Sequence, residues 1–440
     1  MSVHMRPFVV KEIRALLPVW IASAFAIGAA VLNGGRSHDL GLIAYGFGSV
    51  ALGAQSIGHE YTNRTLTLLL AQPWSRQRLL LLKLAILTVM LLTLAAFARL
   101  TLLKPEDQDW VFLSLLNGLC LAPLLTMACR TPVAGVVFTG AAPFWFDVIG
   151  RYVSGRVLWS NALILFAASA VAGWRLFMRL EAIDGRGADV RLPAAWRRWA
   201  EATFAASSQP VRTKHPLRML IRKELHLQQM TFAVAGVWLV IWLVESALTR
   251  MIPGFVGLPL PLVSIIFGGL LALLIGSLAS AEERQLGTLE WQVLLPMAAW
   301  KQWTVKVATA LGLAALLSFG LPVVLAGGHV GFSAWHAGVI VFLTSGGLYV
   351  SSLCRSSLRA LIVSGPAIIV LSMVSVRLVA AFGNPRTLWA LPPAVIVALM
   401  LWFAFENHRL AGQSAARVSR QGVWIAGCLA LGVAIVSALP

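Results

Sequence analysis

Glu60, Thr65, Pro73 and Lys83 recur as Glu283, Thr288, Pro296 and Lys306, every position shifted by 223 residues. A carboxylate, a hydroxyl five residues on, a proline and a lysine make no nucleophile–base pair. They shape and charge a short polar helix. Acidic groups favour the first turn of a helix, and Leu66, Leu69 and Leu70 follow Glu60 at helical spacing. The spacing therefore predicts a helix over 60–71, stopped by Pro73, with Arg76, Arg78 and Lys83 at the level of lipid headgroups. The second copy keeps the plan over 283–294, with Gly287, Thr288 and Leu289 early and Pro296 at the end. The chain has no Gly-x-x-x-x-Gly-Lys-Ser/Thr phosphate loop, His-Glu-x-x-His helix or Gly-x-Ser-x-Gly elbow. No catalytic residue, metal site or cofactor of its own is expected, and the chain reads as a non-enzyme.

Each polar passage is held between apolar runs. Of 440 residues, 59% are hydrophobic and 12% charged, against roughly 45–50% and about 25% in soluble domains. The excess lies in continuous blocks of about 20 residues, the length of a transmembrane helix. These blocks predict an all-α polytopic membrane protein and exclude an alternating β-barrel pattern. The net charge of +18 does not indicate nucleic acid, because Lys and Arg fall between the apolar blocks, mostly in alternate connectors. By the positive-inside rule this places the N-terminus and both polar passages in the cytoplasm, in a multi-pass protein of the cell membrane. The four cysteines have no metal-type spacing.

The repeat extends further. Lys11-Glu12 answers Lys223-Glu224, each ahead of the first span of its half; Cys129-Arg130 answers Cys354-Arg355, and Arg179-Leu180 answers Arg409-Leu410. The offset changes only across predicted outside loops, where insertions are tolerated. Six spans per copy give two parallel six-helix repeats about an axis along the membrane normal. The expected organisation is a first half over 1–180, a basic linker over 181–215, a second half over 216–410, and a tail over 411–440. The tail carries one extra C-terminal transmembrane helix near 422–439.

Asp147, Arg151, Glu245 and Arg377 lie in or near the ends of apolar runs, toward the outer side. Such groups contact substrate, pair with one another, or snorkel to the interface.

The segment Glu283-x-x-x-Gly287-Thr288-Leu289-Glu290, with Pro296 beyond it, resembles the cytoplasmic motif between the second and third transmembrane helices of type 2 ABC exporter permeases. The resemblance covers about 11–180 and 223–410. It implies two coupling helices carrying Glu60, Thr65, Leu66 and Pro73, and Glu283, Gly287, Thr288, Leu289 and Pro296. It also implies elbow helices at Lys11-Glu12 and Lys223-Glu224. Two ABC ATPase subunits would bind ATP and Mg, and the two fused halves would act as an intramolecular pseudo-dimer in the lipid bilayer. Three departures, Arg64 in place of the glycine, Gln285 and Ala298-Ala299, imply unequal coupling, weaker at the first copy. A secondary transporter with parallel halves would instead place charge near the midplane. A non-transporting scaffold driven by an ABC ATPase would keep the same coupling helices.

Overall fold

The computed structural model describes residues 5–32, 38–101, 108–140, 155–180, 216–251, 260–287, 297–325, 334–354, 356–365, 391–410 and 415–438. Asp147, Arg151, Arg377, Thr288, Leu289, Pro296 and the 181–215 linker lie outside them. Every regular element among the described residues is helical. Among the described residues seven helices are long and apolar enough to cross a membrane, in keeping with the continuous apolar runs, and the chain is a polytopic helical membrane protein.

Two compact units divide the chain, Met1–Arg197 and Arg198–Pro440. In the first, α1 (Met5–Leu32), α2 (His38–Thr62), the short α3 (Leu66–Leu70) and α4 (Arg76–Thr101) run in order. Then come α5 (Gln108–Leu116), a π-turn π1 (Asn117–Leu121), α6 (Ala122–Cys129), α7 (Pro132–Gly140) and α8 (Gly155–Met178). α2 packs against α1, α4, π1, α6 and α7. Its approach to π1 needs a residue without a side chain: a Cβ on Gly53 would stand 1.9 Å from the Gly118 carbonyl oxygen.

The second unit holds α9 (Pro216–Leu227), α10 (Gln229–Met251), α11 (Leu260–Leu286), α12 (Ala299–Leu313), the π-turn π2 (Ala314–Gly320) and α13 (Leu321–Leu325). It continues with α14 (Ala334–Leu353), a helical stretch at 357–365, α15 (Leu391–Arg409) and α16 (Ala415–Ala438). α11 is the hub here, as α2 is in the first unit.

The two Lys-Glu pairs, expected on elbow helices, sit in different settings. In the first unit Lys11-Glu12 lies within the continuous α1, which passes through Pro18. In the second, α9 is broken from α10 at Gln228. That side chain donates to the Ile275 carbonyl of α11 (3.0 Å) and accepts from the Thr231 hydroxyl (2.7 Å), so the bend is satisfied rather than left open.

Candidate functional site: two buried charge clusters

The helix expected over 60–71 is interrupted. α2 continues through Thr62, so Glu60 sits in its last turn and not in the first turn of a new helix. There the macrodipole is unfavourable to an anion, and the carboxylate needs cations. The Thr65 amide donates to the Glu60 carbonyl (2.9 Å) and the Arg64 amide to the Tyr61 carbonyl (3.3 Å). This is the Schellman pattern of a helix C-terminus. It demands a left-handed residue, and Arg64 supplies it with φ 56°. Only Leu66–Leu70 then forms α3. The Thr65 hydroxyl donates to Glu60 Oε2 and leaves the start of α3 without a side-chain cap.

Elements distant in sequence converge on Glu60. Lys11 Nζ is 2.8 Å from Glu60 Oε1. Lys83 Nζ is 3.2 Å from the same oxygen, 2.7 Å from Glu12 Oε1 and 3.3 Å from the Ser56 carbonyl. Its three N–H groups thus meet three acceptors. His59 adds Nε2 at 3.1 Å from Glu60 Oε1 and 3.6 Å from Glu12 Oε1, and its Nδ1 lies 2.9 Å from the Gln55 carbonyl oxygen. Glu12, His59, Glu60 and Lys83 are all buried, whereas the Lys11 side chain is 43% exposed.

The second unit builds the same object. Lys223 donates to Glu283 Oε1. Lys306 Nζ lies 2.5 Å from Glu283 Oε2, 3.5 Å from Glu224 Oε2 and 2.7 Å from the Ala279 carbonyl. Ser56 and Ala279, the carbonyl partners of the two lysines, are also 223 residues apart. Glu224, Glu283 and Lys306 are buried. At the foot of α11 the Gly287 amide donates to the Arg284 carbonyl (3.2 Å), and Gly287 has φ 73°. The left-handed turn at Arg64 is therefore repeated at the glycine.

Each cluster joins the helix that carries a Lys-Glu pair (α1 or α9), the end of α2 or α11 and the start of α4 or α12. Two Lys and two Glu balance, which burial requires, since an isolated buried charge is costly. Glu12, His59 and Glu60 offer ligand atoms within 4.8 Å of one another, a spacing that suits a metal ion. The Lys83 ammonium already bridges both carboxylates, so the donor set fits an ion pair and not a metal.

The clusters differ electrostatically. Burial alone would raise the Glu60 carboxyl; the adjacent His59 imidazole and the Lys83 charge overcome it and hold Glu60 far below the usual carboxylate range. Burial would lower His59, but the Glu12 and Glu60 carboxylates beside it raise it above its ordinary value. In the second unit Glu283 draws both lysines closest and stays low against its burial. Glu224 is raised by burial, with the charge of Glu283 adding to it against Lys306. Glu282 stands where the first unit has His59. Burial first, then the Glu283 charge, push it up to about 8, and its Oε2 is sealed from solvent without a hydrogen-bond partner. His408, whose ring lies tilted against Trp303 with centroids 5.6 Å apart, is lowered to about 4 by burial and by Lys306.

The outward side of the first polar passage is distinct from its inward side. Leu66 and Leu69 are buried with Phe8 and Leu79. Leu68 is 69% exposed, and Asn63, Arg64, Pro73, Arg76 and Arg78 are exposed near it in sequence. Glu245 is buried in α10; it does not join either cluster.

The sequence singles out Glu60, Glu283 and both Lys-Glu pairs as site residues but not Lys83, Lys306, His59 or Glu282. The signal for the lysines was present, because both obey the 223-residue shift. The sequence sets Lys83 at the lipid headgroup level; the structure turns both lysines inward.

Residues 4–145 match the family model described as ABC-2 family transporter protein. The match spans α1–α7 and contains the whole first cluster. It supports a membrane permease of an ABC transporter. No curated protein and no solved structure matches the chain.

Proposed function

We propose that this chain is the membrane-spanning permease of an ATP-driven exporter of the ABC-2 type, with both half-permeases fused. The observation that carries the reading is the duplicated cluster. The same Lys-Glu, Glu and Lys positions close the same three-helix joint in each unit, directly behind a left-handed turn. Families of this type pair with ABC ATPase subunits in the membrane. In this reading two ATPase subunits dock from the cytoplasm on 60–73 and 283–296 and supply ATP and Mg. ATPase closure pushes on each turn. The buried ion pairs make elbow, second span and third span respond together, because separating them would strand a charge in a dry site. Rocking of the two halves then gives alternating access. The N-terminus is cytoplasmic and the chain resides in the cell membrane.

The test is co-reconstitution with an ABC ATPase in lipid vesicles, followed by ATP hydrolysis and by flux of fluorescent lipids and amphiphilic dyes. The expected result is stimulated hydrolysis with ATP-dependent flux, both lost in the Leu68→Asp variant. Failure of the intact chain to bind or stimulate the ATPase overturns the reading; stimulation with no flux overturns the export step.

A further inference from the structure

The joint behind the coupling turn is apolar in one unit and polar in the other, at matching repeat positions. In the first unit Met127 and Phe177 are buried with Ile57, Leu80 and Leu180, and Tyr61 packs against them. The repeat offsets place Arg284 opposite Tyr61, Ser352 opposite Met127 and Asn407 opposite Phe177. In the second unit these residues are linked by hydrogen bonds. Asn407 Nδ2 donates to Ser352 Oγ (3.0 Å), and Arg284 Nη2 donates to the Asn407 carbonyl (3.4 Å). Next to Arg284, the Gln285 side-chain oxygen accepts from the Ser357 amide (3.3 Å) and hydroxyl (3.0 Å).

Into this polar joint comes α16, the helix with no counterpart in the first half. Gln421 exchanges hydrogen bonds with Asn407, accepting from its Nδ2 (3.2 Å) and donating to its Oδ1 (3.1 Å). It also meets Glu406 Oε2 (3.3 Å) and the Tyr349 hydroxyl (3.4 Å). Gln421 is 1% exposed, and it is the one buried residue among those of α16 whose side chains are described. Val423, Trp424 and Leu431 are exposed. Among the described side chains of α16, the buried contact is thus the polar one made by Gln421. In an apolar medium, where burying apolar surface between helices gives little drive, interhelical hydrogen bonds specify the partner.

We propose that α16 is a brace on the second coupling turn, with Gln421 a positioning residue that acts through Asn407 and Arg284 on the end of α11. Behind the first turn the matching positions make apolar contacts, and the Arg76 guanidinium donates to the Met178 carbonyl (2.5 Å); behind the second they form a side-chain hydrogen-bond network that α16 joins. The role in coupling rests on the proposed function above, whereas the mechanical link does not.

Hydrogen exchange on the purified full-length chain tests the link without an ATPase. The Gln421→Leu variant is expected to speed exchange of the Gly287 amide, which bonds the Arg284 carbonyl, by roughly tenfold, the effect of losing about one net hydrogen bond. The Thr65 amide in the first unit should be unchanged. The Arg284→Met variant should give a similar effect, and the double variant no more than either alone, because both lie on one path. Unchanged Gly287 exchange in Gln421→Leu, or additive effects in the double variant, overturns the brace. With an ATPase present, loss of stimulation in Gln421→Leu with intact docking is expected. Unaltered stimulation alongside faster Gly287 exchange would retain the mechanical link and overturn its role in coupling.

Discussion

Arg64 and Gly287 occupy equivalent places and share one left-handed backbone conformation, φ 56° and 73°. The substitution that makes the first copy unlike the second in sequence leaves its turn unchanged in shape. A side chain in this region costs about 1–2 kcal/mol, while glycine raises the entropy of the unfolded chain by about 0.4–1 kcal/mol. The first term is the larger, so Arg64→Gly is expected to raise stability by roughly 0.5–1 kcal/mol. Nothing lies within 4 Å of a Cβ at Gly287, so Gly287→Ala is expected to cost about 1 kcal/mol through backbone strain alone. Thermal unfolding in detergent reads both; a stabilised Gly287→Ala would contradict the shared turn.

Lys83 is the centre of the first cluster and Lys11 its rim. Lys83→Met leaves the buried Glu12 and Glu60 without their shared cation and is expected to cost about 3–5 kcal/mol. Lys11→Met removes a partly exposed partner, while Glu60 keeps Lys83 and His59; at most about 1 kcal/mol is expected. Lys306→Met should behave as Lys83→Met does. Chemical unfolding of the three variants checks the order, and equal costs at Lys11 and Lys83 would refute it.

The pH dependence follows from the position shared by His59 and Glu282. Glu282 is raised to about 8, so the folded state prefers its proton. Its favourable contribution is complete below the unfolded value near 4.5 and is lost as pH rises through about 8. His59, also raised, contributes stability below about 6.5 that is lost as pH rises through its folded value. Glu60, held low, acts oppositely, losing its contribution only in strong acid. Melting temperature should therefore fall from pH 6 to pH 9. Glu224, raised to about 7, loses its contribution in the same range, so Glu282→Gln should flatten part of the second unit's share of that fall, and an undiminished slope would be evidence against a protonated Glu282.

The two faces of α3 separate folding from docking. Leu69→Ala empties a buried site and is expected to cost about 2–5 kcal/mol. Leu68→Asp changes an exposed side chain and is expected to stay within about 0.5 kcal/mol of the parent, while weakening ATPase binding at least tenfold. Co-purification beside a melting curve distinguishes them. A Leu68→Asp chain that binds normally would remove α3 from the docking surface.

The continuous apolar runs determined the helices, since backbone groups in lipid must pair within their own segment. The 223-residue shift also determined that Glu60 recurs as Glu283 and Lys83 as Lys306, and a shift of 212 that Lys11-Glu12 recurs as Lys223-Glu224. Direction was not determined. A lysine at a span boundary can reach toward headgroups or inward, and the choice depends on whether a carboxylate from another helix is waiting. Glu12 and Lys83 are 71 residues apart, and only tertiary packing sets them at 2.7 Å. The end of α2 was likewise decided by tertiary context, because Glu60 is tolerated in a last helical turn only when Lys11, Lys83 and His59 surround it. Gln421 shows the same limit. It reads as a polar residue at the edge of an apolar run, and its function as a key exists only where the fold brings Asn407 against it.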